Sequence, residues 1–294
     1  MSNRAKHVGI LVLGCGLAAR MHSRTLRRIG GVELFYASRQ RERAESYRRR
    51  YGGRRAFGSY AEGLADSLVD VALVATPTVT HRDLAVQSLA AGKHVIVEKP
   101  AFMRSSDADD VRRAAGVAGP RVFVAENYAY KPVAVHLRRL IAAGHLGDVR
   151  FAATLGLDVA AVTAHRVGAT DGPDQSSLIV FRYANGAVGT LAHSWELAAP
   201  LGGLRLSKVQ GTLGAVTFES NGFVALTTGR RRSLRFFALH DPLGYRGMFE
   251  DLLRALRTGE APRFTLQMAQ RDLCLLEHAE RSMARELGSD SICV

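Results

Sequence analysis

Cysteine is scarce in this 294-residue chain: Cys15, Cys274 and Cys293 are odd in number, far apart, and match no zinc or C-x-x-C spacing. Neither a disulfide framework nor a metal site is implied, and a reducing cytoplasm fits. Lysine is scarce too, five residues against thirty-five arginines, so the net charge of +13 rests on arginines scattered along the whole chain. The runs Arg48-Arg49-Arg50 and Arg230-Arg231-Arg232 are short and lack interleaved aromatics, so they read as solvated faces and not as a nucleic-acid patch. No apolar run is long enough to cross a bilayer. Arg4 and Lys6 before Gly9–Leu13, with the box Val12-Leu13-Gly14-Cys15, imitate an export signal. The run is short, however, and passes into a regular amphipathic helix, which favours a cytoplasmic location. What is present is an ordinary globular composition, 47% hydrophobic and 23% charged with 29 glycines, with length enough for two domains.

Val8–Leu13 is a near-continuous apolar run that enters Gly14-Cys15-Gly16-Leu17-Ala18-Ala19 and then a helical pattern reaching about Ile29. This is a G-x-G-x-x-A turn between strand and helix. Its glycines allow a tight turn and close approach of a pyrophosphate, and the helix start offers free N–H groups and the positive end of a dipole. A second strand, Val32–Ala37, follows at the spacing a dinucleotide-binding unit requires. An acid at the end of that strand would hydrogen-bond the ribose hydroxyls of NAD, but here stand Ser38-Arg39-Gln40-Arg41, with no carboxylate until Glu42. A hydroxyl followed by a guanidinium suits a 2′-phosphate, which favours NADP over NAD.

Further along, a helix-like segment at Tyr60–Ser67 precedes a strand at Val69–Ala75, which closes on Thr76-Pro77-Thr78-Val79-Thr80-His81. A helix over Arg82–Ala91 leads to Lys93-His94-Val95-Ile96-Val97-Glu98-Lys99-Pro100, whose brief β-branched core predicts a buried strand. Lys99 then falls just past a strand's carboxyl end, where open parallel sheets bind ligands and a lysine can exchange a proton with substrate. A last strand, Arg121–Ala125, opens onto Glu126-Asn127-Tyr128-Ala129-Tyr130-Lys131-Pro132 and a helix ending near Gly144. Alternating strands and helices of these lengths predict a parallel, doubly wound sheet.

In their order, GCGLAA, ATPTVTH, AGKHVIVEKP, and AENYAYKP followed by a helix and GHLGDV resemble the glucose-fructose oxidoreductase, inositol dehydrogenase and rhizopine-catabolism (Gfo/Idh/MocA) family of NAD(P)-dependent oxidoreductases. The likeness continues through Ser177–Ala187, Val209–Gly214 and the closing helices from Tyr245. It implies α/β plus α+β architecture: a Rossmann domain at 1–126, then a substrate-binding and dimerisation domain at 127–294 with an open, mostly antiparallel sheet. It further implies that Gly14, Gly16, Leu17, Ala18 and Ala19 hold the pyrophosphate, that Thr76 and Pro77 pass close to the cofactor, and that His81 lies toward the ribose. Glu98 would sit near the nicotinamide, Asn127 would match an amide-bearing position of the site, and Lys99 would be the proton donor or acceptor on the substrate oxygen. The partners implied are a small molecule and a second copy of the chain, with neither nucleic acid nor membrane.

Two departures from the family pattern stand out. An arginine is usual after Asn127, and here Tyr128-Ala129-Tyr130 takes its place. After a strand expected at Asp148–Leu155, only Gly156-Leu157-Asp158 precede the next apolar strand, Val159–Val162, where relatives insert a helix carrying a catalytic aspartate and histidine. His165 and His193 fall on strands and do not replace them, whereas Tyr128 stands where a phenol could donate a proton. Three readings follow: an NADP-dependent oxidoreductase of a sugar-like or secondary-metabolite carbonyl or alcohol, with Lys99 and Tyr128 as its catalytic residues; a reductase of a conjugated ligand resembling the biliverdin reductases; or a cofactor-binding regulator without activity.

Overall fold

The computed structural model describes residues 7–117, 119–151, 158–166, 176–194, 206–230, 232–237 and 241–286. Two compact units form, Met1–Ala129 with Gly244–Leu273, and Tyr130–Leu243 with Cys274–Val294. The single boundary expected at 126/127 misses the return of Gly244–Leu273 to the first unit, which nothing local in the sequence announces.

The first unit is built on six strands: β1 (Val8–Leu13), β2 (Val32–Ala37), β3 (Arg55–Phe57), β4 (Val71–Val74), β5 (His94–Val97) and β6 (Val122–Val124). Their order across the sheet is β3-β2-β1-β4-β5-β6, and every pairing is parallel. Parallel sheets carry helices on both faces, so their strands bury every residue, as Ile10 to Leu13 and Val71 to Val74 do. The helices are α1 (Leu17–Leu26), α2 (Arg41–Tyr51), α3 (Tyr60–Leu64), α4 (His81–Ala90) and α5 (Asp107–Ala115). Strand order reverses between β1 and β4, which opens a crevice at the carboxyl edge of such a sheet.

In the second unit α6 (Pro132–Ala142) leads into β7 (Val149–Phe151), β8 (Val159–Arg166), β9 (Ser176–Tyr183) and β10 (Val188–Ser194). Four more strands follow, β11 (Leu206–Gly211), β12 (Gly214–Glu219), β13 (Val224–Gly229) and β14 (Ser233–Phe236). The eight-stranded order is β14-β13-β12-β11-β7-β10-β9-β8, antiparallel except where β7 meets β10. The open, mostly antiparallel sheet expected from the sequence is therefore present. One face buries Val209, Val216 and Ala225 against Val133 and Leu137 of α6. Ala164, Ile179 and Phe181 form a second cluster with Ala279 and Met283 of the terminal helix.

Two helices close the chain, α7 (Tyr245–Thr258) and α8 (Leu266–Glu286). α7 packs on α1 and buries Met248, Phe249, Leu252 and Leu253. The short connection read at Gly156-Leu157-Asp158 lies largely outside the described residues, since only Asp158 of the three is among them. Among the described residues, no helix is long and apolar enough to cross a membrane, and no cluster of three or more potential metal ligands occurs.

Candidate active site

The chain leaves β1 into the glycine turn with Gly14 at φ +96°, a left-handed conformation, and a Cβ there would lie 2.8 Å from the carbonyl oxygen of Ala75. Only glycine meets both conditions without strain. Gly16 is different, because a Cβ there would meet nothing within 4 Å, so the space in front of it is open. Gly16 caps α1 without any side-chain hydrogen bond, and the first turn carries no acid, so the N–H groups of that turn face this space uncapped. Two residues of α2 brace the turn from behind: Arg43 Nη2 donates to the Cys15 carbonyl at 3.1 Å, and the Tyr47 hydroxyl to the Gly16 carbonyl at 2.9 Å. Burial pushes the Cys15 thiol up to about 11, partly offset by Arg43, so at neutral pH it is an inert thiol.

A cavity of about 480 Å³ runs from this turn past Thr76 and Pro77 to Ser38, Arg39 and Tyr60. Its donors, a bare helix N-terminus at one end and the Ser38 hydroxyl with the Arg39 guanidinium at the other, are groups that bind phosphate. A larger cavity of about 780 Å³ lies at the opposite, amino edge of the strands, lined by Gly9, Asp70, His94 and Arg257 among others. Ligands of open α/β sheets bind beyond the carboxyl ends of the strands, so the smaller cavity is the candidate cofactor site.

His81, expected toward the ribose, bonds backbone carbonyls through both ring nitrogens. The ring is buried, with Nε2 at 2.8 Å from the Thr76 carbonyl and Nδ1 at 3.1 Å from the carbonyls of both Pro100 and Ala101. It ties the turn after β4 to the turn after β5. Thr76 and Thr80 add a hydroxyl pair at 2.7 Å on the same turn.

Glu98, Lys99, Glu126, Asn127 and Tyr128 come together at the ends of β5 and β6. Lys99 is half-buried, with Nζ 3.6 Å from the centre of the Tyr128 ring, a cation–π contact. Glu98 is buried, its Oε1 at 2.9 Å from Nε2 of His22 and its Oε2 accepting the backbone N–H of Lys99. Glu126 Oε1 accepts the backbone N–H of Tyr128 at 2.9 Å, and burial raises the pKa of Glu126 against the opposing pull of Lys99. Asn127 is fully enclosed at 2% exposure, whereas Tyr128 is 56% exposed.

Three residues of this group escaped the sequence reading. His22 belongs to α1, where a histidine in an amphipathic stretch looks like any other core position. Arg43 falls past the end of β2, beyond the Ser-Arg pair that drew attention. Tyr245 arrives on α7, and burial, then Glu98, Tyr128 and Glu126, raise its phenol, so it stays neutral beside the carboxylates.

With this geometry in place, a sequence model described as "Oxidoreductase family, NAD-binding Rossmann fold" matches residues 8–126. Residues 8–126 of the chain are thus similar to the Gfo/Idh/MocA oxidoreductase family. A 4-carboxy-2-hydroxymuconate-6-semialdehyde dehydrogenase of Sphingobium sp. is 31% identical over 138 residues, 47% of this chain and 44% of that protein. A trans-1,2-dihydrobenzene-1,2-diol dehydrogenase of Mus musculus is 30% identical over 164 residues, 54% of this chain and 48% of that protein. The chain thus spans about half the length of these curated relatives. Among solved structures, GenD2 from gentamicin A biosynthesis, in complex with NAD, is 25% identical with a TM-score of 0.80, covering 97% of this chain and 96% of that one. An aldose-aldose oxidoreductase from Caulobacter crescentus, 20% identical, has the same fold at a TM-score of 0.83 over 95% of this chain and 98% of its own.

Proposed function

We propose that this chain is a Gfo/Idh/MocA-family, NADP-dependent oxidoreductase acting on a CH–OH or C=O group of a small sugar-like or secondary-metabolite substrate, with Lys99 as proton donor or acceptor. The observation that carries the reading is the placement of Lys99. Its amine stands at the carboxyl end of β5 over the Tyr128 ring, on the same sheet edge as the glycine turn. The nicotinamide, when bound, supplies or accepts a hydride. Gly14, Gly16 and the start of α1 at Leu17, Ala18 and Ala19 hold the pyrophosphate, and Ser38 with Arg39 takes the 2′-phosphate. Lys99 moves a proton to or from the substrate oxygen, and Tyr128 limits where its amine can point.

The printed names of the relatives support the substrate class. They include a glucose-6-phosphate 3-dehydrogenase of Bacillus subtilis and a D-xylose 1-dehydrogenase (NADP(+)) of Hypocrea jecorina, besides the two dehydrogenases above. NAD or NADH accompanies several of the structural neighbours, so the NADP preference rests on Ser38 and Arg39 alone. We place the enzyme in the cytoplasm, where thiols such as Cys15 and Cys274 stay reduced. A second copy of the chain is proposed as partner through the open sheet.

The test is NADPH oxidation against a panel of keto-sugars, inosose-like ketones and conjugated tetrapyrroles, with Lys99→Met beside the wild type. Methionine keeps most of the stem and removes the ionisable group without opening a large cavity. Turnover should fall by roughly 10²–10⁴-fold while NADPH affinity is kept. Full activity in a normally folded Lys99→Met protein would sink the assignment. Tight NADPH binding by the wild type without turnover on any carbonyl would instead make the chain a cofactor-binding regulator.

A further inference from the structure

Behind the Glu-Lys-Pro turn stands a buried pair that the reaction as read above does not use. His22 is fully buried on α1, with Nε2 at 2.9 Å from Glu98 Oε1. The other oxygen of Glu98 accepts the backbone N–H of Lys99. Two aromatic rings of α7 pack against the imidazole at right angles, Tyr245 with centroids 5.5 Å apart and Phe249 at 5.3 Å. Nδ1 has no hydrogen-bond partner among the described residues. An N–H is seldom left orphaned in a protein interior, so the proton belongs on Nε2, where it is donated to Glu98.

A carboxylate out of water costs several kcal/mol unless donors satisfy its oxygens, and Glu98 has one donor on each: His22 and the amide of Lys99. Remove His22 and one oxygen loses its partner, which frees the carboxylate to rotate toward water and to release the Lys99 amide. α1 also begins at the glycine turn, so the donor that steadies Glu98 is carried by the helix that faces the cofactor phosphates. We propose that His22 is a positioning residue, which through Glu98 fixes the backbone at Lys99 and with it the aim of the Lys99 amine over Tyr128. The rate consequence rests on the reading of Lys99 as the proton-transfer group; the structural consequence does not.

The experiment compares wild type, His22→Leu, His22→Gln and Lys99→Met, with folding verified by thermal melts. Leucine keeps a similar apolar volume without a donor, whereas the amide nitrogen of glutamine reaches where Nε2 stands. Hydrogen exchange of the Lys99 amide, read by two-dimensional NMR on the cofactor-free protein, should be slow in wild type and His22→Gln and at least tenfold faster in His22→Leu. With a substrate from the carbonyl panel, kcat should fall by roughly 10–100-fold in His22→Leu, recover most of that loss in His22→Gln, and leave NADPH affinity within about twofold throughout.

Unchanged Lys99 exchange in His22→Leu overturns the proposal, and so does equal loss of stability in both His22 variants with exchange at Lys99 unaltered, the mark of a packing residue. Should His22→Leu fail to fold, His22→Asn, whose amide is too short to reach Glu98, takes its place in both arms. Full activity in Lys99→Met would remove the rate consequence, while the exchange arm, which needs neither substrate nor cofactor, still decides whether His22 holds the turn.

Discussion

At the end of β2 a carboxylate would repel a 2′-phosphate, and this chain has Ser38 there, nearly buried, with Arg39 exposed beside it. Ser38 Oγ accepts the backbone N–H of Gln40 at 3.3 Å, which holds the corner from which Arg39 extends. A guanidinium offers several donors to the charged oxygens of a phosphate but meets only a single neutral acceptor on a ribose hydroxyl. NADPH should therefore bind more tightly than NADH, and Arg39→Ala should weaken NADPH by about tenfold while leaving NADH nearly unchanged, as read by titrating nucleotide fluorescence. High salt should narrow the gap, since part of it is charge attraction. Equal wild-type affinity for both nucleotides would contradict this. At this scale the sequence was legible for position: Gly14, Ser38, Thr76, Lys99 and Tyr128 all follow the carboxyl end of a strand, as read from the sequence. It was not legible for the partners of His81, which are carbonyls supplied by two separate turns.

Elements carry a different kind of information. β5 was recognisable from three β-branched residues, Val95, Ile96 and Val97, between a helix end and a proline; all four residues of the strand pair in register with β4, and those three with β6. Its first residue has a role that hydropathy does not show. His94 Nδ1 accepts the backbone N–H of Arg121 at 2.9 Å, which pins the start of β6 beside β5. Burial, and then Arg121, lower the His94 pKa, so the fold favours the neutral ring. In the window between that lowered value and the ordinary histidine value near 6.5, the unfolded chain binds more protons than the native one. Stability from this contact is thus complete above the window and lost as pH falls through it. The midpoint of thermal unfolding should drop between pH 7 and pH 5.5, and His94→Asn, whose side-chain oxygen can accept from Arg121 at every pH, should flatten the slope. A variant with the same pH dependence as wild type would show that other groups set it. α7 marks the limit of reading by element: the sequence reading placed a helix from Tyr245, but not that it meets α1 and brings Tyr245 and Phe249 to His22.

For the whole molecule, the doubly wound order of the first unit followed from strand and helix spacing, because parallel strands joined by helices have few ways to stack. The second unit was legible as a class, an open antiparallel sheet, but not in the use of its two faces. In register, Leu226 of β13 stands beside Leu234 of β14, and Val224 beside Phe236, on the face opposite the Val209, Val216 and Ala225 core. Leu234 and Phe236 are 60% and 74% exposed, and Leu206 at the start of β11 is 65% exposed. Contiguous apolar side chains in water on a broad sheet are unfavourable for a lone chain, and a two-fold copy of the same face is the simplest cover, since one self-complementary patch then buries both. Each leucine or phenylalanine side chain so covered contributes on the order of 1.5–3 kcal/mol when burial is complete. Light scattering after size exclusion should give twice the chain mass at micromolar concentration. Phe236→Glu with Leu234→Lys places two charges on the patch and should yield a monomer that melts cooperatively and keeps its NADPH affinity, because the cofactor residues all lie in the other unit. A double variant that remains dimeric would move the interface off this face, and a wild type that is monomeric at every concentration would leave the patch to a different partner.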